Sequence, residues 1–341
     1  MTDSEPCVLL DYGSGGKAAQ RLISELFARR FDNPILAAMD DAAKLHLRPP
    51  VAMSTDGYTV DPLEFPGGNI GSLAVHGTVN DVSMLGARPL FISCAFILEE
   101  GLPMSLLERI VQSMADAARE AGVQIVTGDT KVVPRGAADR MFITTTGLGE
   151  IIADPSPSGS SARAGDAILL SGSMGDHGLT ILSQREGLSL AAGVQSDSAA
   201  LNQMVEALIL EAGDIHVLRD PTRGGLATTL NEIAGQSQVL CEIDETAIPV
   251  RPAVAAGCSV LGLDPLYLAN EGKLICILPE EKAEAALALM RRFSIGREAA
   301  RIGQILAPDA KSGKGRVILK TPLGGKRLLG MLEGEQLPRI C

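Results

Sequence analysis

The chain has 341 residues, of which 46% are hydrophobic and 21% charged, a composition typical of a globular protein with about two domains. Its formal net charge of −11 argues against a nucleic acid as partner, and a polyphosphate would need metal cations between it and the protein. No apolar run approaches the roughly 18 residues of a membrane-spanning helix, so the sequence predicts no membrane segment.

The start of the chain and its cysteines favour the cytoplasm. Residues 1–6 are acidic and lack the basic and apolar regions of a signal peptide. The six cysteines include no Cys-x-x-Cys pair and no cluster with histidine, so the sequence suggests neither a zinc site nor a disulfide framework. We therefore expect a protein of the reducing cytoplasm, where thiols stay free.

Taken in chain order, the apolar patterns predict alternating helices and strands. Before residue 154, helices are predicted over 17–27, 70–85 and 105–121, and strands over 35–39, 51–54, 91–98, 124–127 and 141–148. After residue 165, strands are predicted over 167–171, 239–243, 274–278 and 317–319, and helices over 176–185, 199–211, 226–234 and 281–292. Strands and helices interleave in both halves, which predicts an α/β or α+β architecture.

A linker and a tail divide the chain. Residues 154–165 are rich in Pro, Ser and Gly and are the predicted linker between domains at 1–153 and 166–332. The tail, residues 333–341, is polar, broken by glycine and able to reach about 30 Å when extended. Because it ends on Cys341, it suggests a mobile carrier that is loaded in one place and reacted in another. A chance cysteine in a frayed terminus is the alternative.

A glycine-rich strap precedes the first predicted helix. It comprises Gly13, Ser14, Gly15, Gly16 and Lys17. The spacing does not match a P-loop, which needs a glycine where Asp11 stands and a hydroxyl residue where Ala18 stands. Its amides, with the following helix N-terminus, could still contact a phosphate group. An ordinary glycine turn before a helix is the alternative.

Four aspartates suggest a site for hard cations. Asp41, Asp56 and Asp129 each follow a predicted strand, and Asp81 lies in a predicted helix. Each alone is compatible with a turn or a helix cap. Converging carboxylates would raise one another's pKa unless cations lay between them, and Mg²⁺ suits such oxygen ligands. Lys131 is predicted to meet a transferred phosphoryl group or the acceptor oxygen, and a solvated surface lysine is the alternative.

The second half contributes further polar residues at the ends of apolar segments. Asp220 and Arg223 precede a glycine-rich helix entry, an arrangement that suits phosphate. His177 and Glu271 lie in polar interruptions of the same kind. A residue at a helix start and a turn residue are the respective alternatives.

Nine motifs, in this order, resemble those of a known family. They are Asp40-Asp-Ala-Ala43, Ser54-Thr-Asp-Gly57, Phe65-Pro-Gly-Gly-Asn-Ile-Gly71, Asn80-Asp-Val82, Val126-Thr-Gly-Asp-Thr-Lys-Val132, Gly175-Asp-His-Gly178, Asp220-Pro-Thr-Arg-Gly-Gly225, Asn270-Glu-Gly-Lys273 and Pro338-Arg-Ile-Cys341. The chain resembles the HypE family of nickel–iron hydrogenase maturation factors, in the superfamily of aminoimidazole ribotide synthase and selenophosphate synthetase. The aspartate motifs are typical of the superfamily, and the last motif is typical of HypE. Tyr12 departs from the histidine more often found before the strap.

The resemblance implies the fold, the partners and the reaction. It implies a two-domain aminoimidazole-ribotide-synthase-like fold, a homodimer that pairs the amino-terminal sheets, and Mg-ATP bound in the amino-terminal domain. A HypF-type partner would transfer a carbamoyl group to Cys341. The protein would use ATP to dehydrate this thiocarboxamide to a thiocyanate, and the cyano group would pass to iron on a HypC–HypD complex.

With this reaction in view, the candidate residues receive roles. Asp41, Asp56, Asp81, Asp129 and, as a weaker candidate, Asp220 are predicted magnesium ligands. The strap with Asn80, Gly128 and Thr130 is predicted to bind ATP. Lys131 is predicted to polarise the carbamoyl oxygen, Arg223 to contact phosphate, and Glu271 to act as the base, with His177 as the substitute.

Two other functions fit part of the pattern. A sister enzyme such as a selenophosphate synthetase would share the aspartates but would not need Cys341, and it would need a cysteine or selenocysteine in the strap. A non-catalytic adaptor could use the terminal thiol as a ligand for a partner's metal, but that leaves the ordered aspartates unexplained.

Overall fold

The computed structural model describes residues 6–13, 16–39, 42–188, 193–308, 315–334 and 339–341. Its helices are α1 (Lys17–Leu22), which continues through a π-helical segment (Ile23–Ala28) into α2 (Arg29–Phe31), α3 (Pro34–Ala37), α4 (Ile70–Met84), α5 (Met104–Ala121), α6 (Asp176–Arg185), α7 (Asn202–Ala207), α8 (Gly225–Ser237), α9 (Pro252–Leu261) and α10 (Ala283–Met290). Its strands are β1 (Val51–Tyr58), β2 (Glu64–Phe65), β3 (Gly68–Asn69), β4 (Ala87–Glu99), β5 (Gln124–Val133), β6 (Met141–Ile151), β7 (Asp166–Leu170), β8 (Val217–Arg219), β9 (Leu240–Asp244), β10 (Ile275–Pro279), β11 (Ala300–Leu306), β12 (Arg316–Lys320) and β13 (Lys326–Leu328). No helix in these ranges is both long and apolar enough to span a membrane.

The first half is built on a four-stranded sheet in the order β1-β6-β4-β5. The β4–β5 pair is parallel and the other pairs are antiparallel. Helix α4 is buried along nearly its whole length and packs on one face of the sheet, with α5 beside it. Asn69 caps α4 by accepting hydrogen bonds from the N–H groups of Gly71 and Ser72. The other face exposes apolar side chains such as Met53, which is 67% exposed.

The second half is built on a seven-stranded mixed sheet in the order β13-β12-β9-β11-β7-β10-β8. Only the β9–β12 pair is parallel among its described pairs. Apolar residues of α8 pack on one face, and those of α7 and α10 pack on the other. Both faces are therefore covered, which explains why β7 is buried at every position.

The sequence prediction is wrong at residues 35–39. The structure has helix α3 there, because Asn33 caps Leu36 (2.9 Å from Oδ1 to N) and Pro34 suits the first helical turn. Strands β1 and β5 run further than predicted, so Asp56 and Asp129 lie within strands rather than after them. The prediction also missed the strands β2, β3, β8, β11 and β13 and the helices α2 and α9. Asp41, Ser14 and Gly15 lie outside the described residues.

Candidate active site

Four carboxylic acids from distant parts of the sequence lie close enough to influence one another's ionisation. Asp56 lies on β1, Asp81 on α4, Asp220 just after β8, and Glu271 in the loop before β10. Burial and then the charge of Asp81 raise the pKa of Asp220 to about 7. Burial, followed by the charge of Asp56, also raises the pKa of Asp81, whose Oδ2 accepts a hydrogen bond from Ser54 (2.7 Å). Asp56, Asp81 and Asp220 therefore lie near enough for their charges to interact, and their role as magnesium ligands stays a prediction.

Glu271 is the most deeply buried of these acids. Its residue is 3% exposed, and its Oε1 atom has no hydrogen-bond partner among the described residues. Burial raises its pKa well above the ordinary value, and the charges of Asp197, Asp220, Asp56 and Asp81 add to the shift. A carboxyl group whose affinity for a proton is raised in this way suits a proton acceptor, as predicted for Glu271.

A buried ion pair fixes the backbone of Glu271. Asp197 accepts hydrogen bonds from the N–H groups of Glu271 (3.1 Å) and Gly272 (3.3 Å), and its carboxylate pairs with the amine of Lys273 (3.0 Å). Asn80 donates to the main-chain oxygen of Glu271 (3.3 Å). Asp197 and Lys273 are buried, so the loop that carries Glu271 is held rigidly.

Asn80 does not have the predicted position for nucleotide binding. It is buried, and its amide nitrogen also donates to the main-chain oxygen of Ala199 (3.0 Å). Its amide oxygen accepts from the N–H of Leu201 (2.8 Å). All of its polar atoms are thus used to join α4 to the loops of the second half.

The end of the tail is docked against both halves of the molecule. Thr59 donates its N–H (2.9 Å) and its hydroxyl (3.2 Å) to the main-chain oxygen of Cys341. Nε2 of His177 lies 2.8 Å from the main-chain oxygen of Ile340, and Arg185 donates to that of Arg339 (2.7 Å). The Ile340 side chain is buried in the core of the first half. The predicted mobility of residues 333–341 stays a prediction, and the structure records the docked position of the last three.

His177 binds the tail and does not point a free nitrogen at the thiol. Its Nδ1 lies 2.8 Å from the hydroxyl of Ser196, and its Nε2 is engaged by Ile340. The ring is fully buried, which lowers its pKa, and it packs edge-on against Phe65. The substitute base proposed from the sequence is therefore a residue that positions the tail.

Docking brings the thiol of Cys341 to the four acids. Burial, and then the charge of Glu271, raises its pKa to about 12, while Arg223 opposes the shift. A cavity of about 300 Å³ lies beside the thiol and is lined by Gly57, Arg223 and Gly224 among others. The sequence-predicted carrier, base and phosphate-contacting cation thus meet in one place.

In the metal-free protein we expect docking of the tail to weaken above pH 9. The docked thiol has a pKa of about 12, against an ordinary value of 9.0, so docking is fully retained below pH 9 and falls roughly tenfold per pH unit above it. Trypsin cleavage after Arg339, followed by mass spectrometry between pH 8 and 10, measures this release. Cys341→Ser is the control, because it lacks the titrating thiol. An equal pH dependence in both proteins would contradict the prediction.

Asp129 and Lys131 lie apart from this cluster. Both are on β5, at the opposite edge of the sheet from β1, so three strand spacings, about 14 Å, separate their backbones from that of Asp56. The Lys131 amine pairs with the Asp129 carboxylate (2.8 Å). The docked thiol therefore lies on the side of Asp56 rather than that of Asp129 and Lys131, and the roles predicted for these two residues stay predictions.

A second, largely apolar cavity of about 200 Å³ lies beside β5. Tyr12, Phe27 and Ile125 contribute apolar walls, and the segment 127–131 supplies polar groups. Gly13 and Gly128 also line the cavity, and neither position has room for a side chain. A Cβ on Gly13 would lie 2.5 Å from the nitrogen of Val132, and one on Gly128 would lie 2.2 Å from the oxygen of Cys94.

The remaining strap and β5 residues lie at the rim of this cavity or beside it. Thr130 lines the cavity, and its N–H donates to the Asp129 carboxylate (2.8 Å). Gly16 is the N-cap of α1 and Lys17 is its first residue, and both are exposed. The apolar cavity beside β5 suits an adenine ring, and the N-terminus of α1 suits the phosphates of the same nucleotide.

The acids fit magnesium that arrives with phosphate. No group of three or more His, Cys, Asp or Glu side chains is close enough to hold a metal ion by itself, as far as the described residues are concerned. Mg²⁺ usually takes one or two carboxylates and fills its remaining positions with water and substrate phosphates. Asp56, Asp81 and Asp220, whose mutual repulsion a cation would relieve, match that pattern.

Several residues of the site carry no recognisable signal in the sequence. Thr59, Asp139, Arg185 and Asp197 lie in segments that read as ordinary turns or helix ends, and Ser196 lies in a polar run. Thr59, Asp139, Arg185 and Asp197 hold the tail or the Glu271 loop through contacts between residues more than 70 positions apart, and Ser196 contacts His177, which binds the tail. Only the folded chain brings them together.

Family models cover most of the chain. The model described as AIR synthase related protein, N-terminal domain, matches residues 39–151, and the one described as AIR synthase related protein, C-terminal domain, matches residues 163–315.

Similar proteins and structures span nearly the full length. Carbamoyl dehydratase HypE of Azotobacter vinelandii is 56% identical, covering 97% of this chain and 96% of its own. Carbamoyl dehydratase HypE of Escherichia coli K12 is 47% identical over 98% of this chain and 99% of its own. A crystal structure of hydrogenase maturation protein HypE in complex with ATP is 71% identical, covers 98% of this chain and 99% of its own, and superposes with a TM-score of 0.95. The HypE chain in a crystal structure of a HypE–HypF complex is 46% identical, with coverages of 91% and 99% and a TM-score of 0.79.

Proposed function

Because this chain belongs to the HypE family of the AIR synthase-related proteins, we propose that it dehydrates a carbamoyl group carried on its own Cys341, at the expense of ATP. The observation that carries the proposal is the docked tail. It brings the Cys341 thiol beside buried Glu271, whose Oε1 atom has no partner among the described residues, and beside Asp56, Asp81 and Arg223.

The proposed reaction removes the elements of water from the thiocarboxamide. The amide oxygen is a poor leaving group and must first be activated. It attacks the γ-phosphoryl group of ATP and ADP leaves, while the thiocarboxamide nitrogen loses one proton. Loss of the second proton from nitrogen then forms the C≡N bond as the C–O bond breaks and phosphate leaves. Glu271 is proposed to take a proton from the nitrogen. Catalysis of phosphoryl transfer depends mainly on positioning and on neutralising charge.

Magnesium, when bound, would neutralise the phosphate charge. Asp56, Asp81 and Asp220 are the proposed ligands near the thiol, and Asp129 is proposed to contribute from the far edge of the sheet. Asp41 keeps its proposed role on sequence grounds alone. Arg223, next to the thiol, is proposed to contact the transferred phosphoryl group.

The strap and the cavity beside β5 are proposed to receive ATP. The apolar walls formed by Tyr12 and Phe27 suit an adenine ring, and the exposed helix entry at Gly16 and Lys17 suits phosphates. We propose that Lys131, given its position on β5, grips the nucleotide rather than the carbamoyl oxygen. A HypE structure at 71% identity binds ATP, which supports the nucleotide assignment.

Partners are proposed on the same basis. A HypF-type carbamoyltransferase would load Cys341, as the known HypE–HypF complex suggests. A HypC–HypD complex would accept the cyano group. Releasing cyanide from a thiocyanate and restoring the thiolate needs two electrons, so that acceptor must also supply reductant. Pairing of the exposed amino-terminal sheet faces would form the homodimer. None of the six cysteines forms a disulfide bond, which supports a cytoplasmic setting.

Intact-mass spectrometry tests the proposal. Protein co-expressed with its carbamoyltransferase is expected to gain the mass of one carbamoyl group. Adding ATP and Mg²⁺ should then remove the mass of one water, and EDTA should block this loss because the phosphate charge stays uncompensated. Carbamoylated protein that keeps its mass with ATP and Mg²⁺ would contradict the dehydratase assignment.

A further inference from the structure

We infer that Asp139 is a positioning residue of this reaction, because it grips the side chain of Arg339 and thereby holds the thiol of Cys341 at the acids. The role of Asp139 in the reaction rests on the proposed function, whereas its contacts are those of the docked tail. Together Asp139 and Arg339 form what we call the tail latch.

The Arg339 side chain has three partners. Its Nη1 group pairs with the Asp139 carboxylate, and its Nε donates to the main-chain oxygen of Thr59 (2.9 Å). Its guanidinium carbon lies 5.9 Å from the centroid of the Phe142 ring, within the range of a cation–π contact. A planar guanidinium makes all three contacts at once, which a lysine amine does not.

The other contacts of the tail do not depend on side-chain identity. Arg185, His177 and Thr59 all bind main-chain oxygens, which any sequence would offer. Among the described contacts of residues 339–341, only those of the Arg339 side chain and the buried Ile340 side chain depend on side-chain identity. The latch therefore explains why an arginine stands two residues before Cys341.

Asp139 lies among arginines that keep its carboxylate ionised. Its carboxylate lies between the guanidinium groups of Arg339 and Arg140, the latter 3.6 Å away, and Arg140 is anchored in turn by Asp61. The hydrogen bond from Arg339, followed by the charge of that residue, keeps the pKa of Asp139 below its ordinary value despite some burial. The latch is thus charged at neutral pH.

The latch is also weak enough to open. The side chains of Arg339 and Asp139 are 35% and 48% exposed, so solvent screens their attraction. A carrier must leave the acids to be loaded, and a partner cannot reach a thiol that is docked against them. A modest exposed ion pair favours the docked state without preventing release.

Alkylation of Cys341 by a bulky maleimide at neutral pH, without nucleotide, measures release of the tail. Asp139→Asn is expected to raise the alkylation rate by up to about fivefold, the upper range for a partly exposed ion pair. Peptide mass spectrometry assigns the label to Cys341. Asp116→Asn is the matched control, because it removes the carboxylate of another exposed pair, with Arg119, away from the tail.

A double-mutant cycle separates the latch from a general structural effect. In an Arg339→Gln background, Asp139→Asn should no longer change the alkylation rate, because the partner is already gone. An unchanged rate in Asp139→Asn alone, or an equal increase in both backgrounds, would overturn the inference.

Dehydration gives the second readout. In carbamoylated protein under single-turnover conditions, Asp139→Asn should slow the loss of water by up to about fivefold and leave ATP affinity unchanged. Faster alkylation with normal dehydration would overturn the positioning role. If wild-type protein never dehydrates, the proposed function fails while the alkylation result still decides the latch.

Discussion

Replacing Cys341 by alanine is expected to abolish carbamoylation and cyano-group formation while nucleotide binding persists. The carrier atom is lost, whereas the proposed ATP site lies on the strap and β5, more than 200 positions earlier in the chain. The other docking contacts of the tail, made by its main-chain oxygens and by the side chains of Arg339 and Ile340, do not involve the thiol, so the fold should be unaffected. Intact mass after incubation with the transferase, and calorimetric titration with Mg-ATP, measure the two effects.

The other cysteines are poor substitutes for Cys341. Cys94, Cys241 and Cys276 are buried in the cores, and burial raises the pKa of each thiol. Cys7 is partly exposed, so Cys7→Ala is the matched control and should retain full carbamoylation. A Cys341→Ala protein that accepts the carbamoyl group on another cysteine would refute the carrier assignment.

The sequence predicts the regular parts of this fold well because burial follows periodicity. Helix α6 has the predicted bounds, and α4 is one residue shorter than predicted. At residues 35–39 the apolar run predicts a strand, but the Asn33 cap and Pro34 stabilise a helix there instead. Short edge strands such as β8 and β13 lack enough residues for a clear pattern.

The site is predictable in composition but not in layout. The charges of Asp56, Asp81 and Glu271 act on the docked thiol of Cys341, and the charge of Asp220 acts on Glu271. The order β1-β6-β4-β5 places Asp129 across the sheet, and no local pattern reveals strand order. The family resemblance supplied the reaction, whereas the residues that hold the tail and the Glu271 loop emerged only from the structure.

The acids beside Cys341 and the thiol itself differ in how firmly they are held. The set beside Cys341 is held on rigid elements, and Glu271 is fixed by a buried ion pair. The thiol, in contrast, arrives on a tail held by a few contacts. A rigid site and a detachable substrate together allow loading by a partner and protected chemistry afterwards.

Glu271→Gln is expected to leave nucleotide and magnesium binding intact and to slow dehydration about 10²–10⁴-fold, the usual cost of a lost general base. Glutamine nearly preserves the shape, and the contacts of Asp197 reach the backbone of this loop rather than the side chain, so the tail should still dock. What is lost is the ability to take a proton from the thiocarboxamide nitrogen. Single-turnover conversion of carbamoylated protein, followed by intact mass, measures the rate.

Two comparisons make the Glu271 result decisive. Glu284→Gln, on the exposed face of α10, removes a carboxylate away from the site and should dehydrate normally. Weakened ATP binding in Glu271→Gln would instead assign the residue to the nucleotide site. A near-normal rate would refute the assignment of Glu271 as the base.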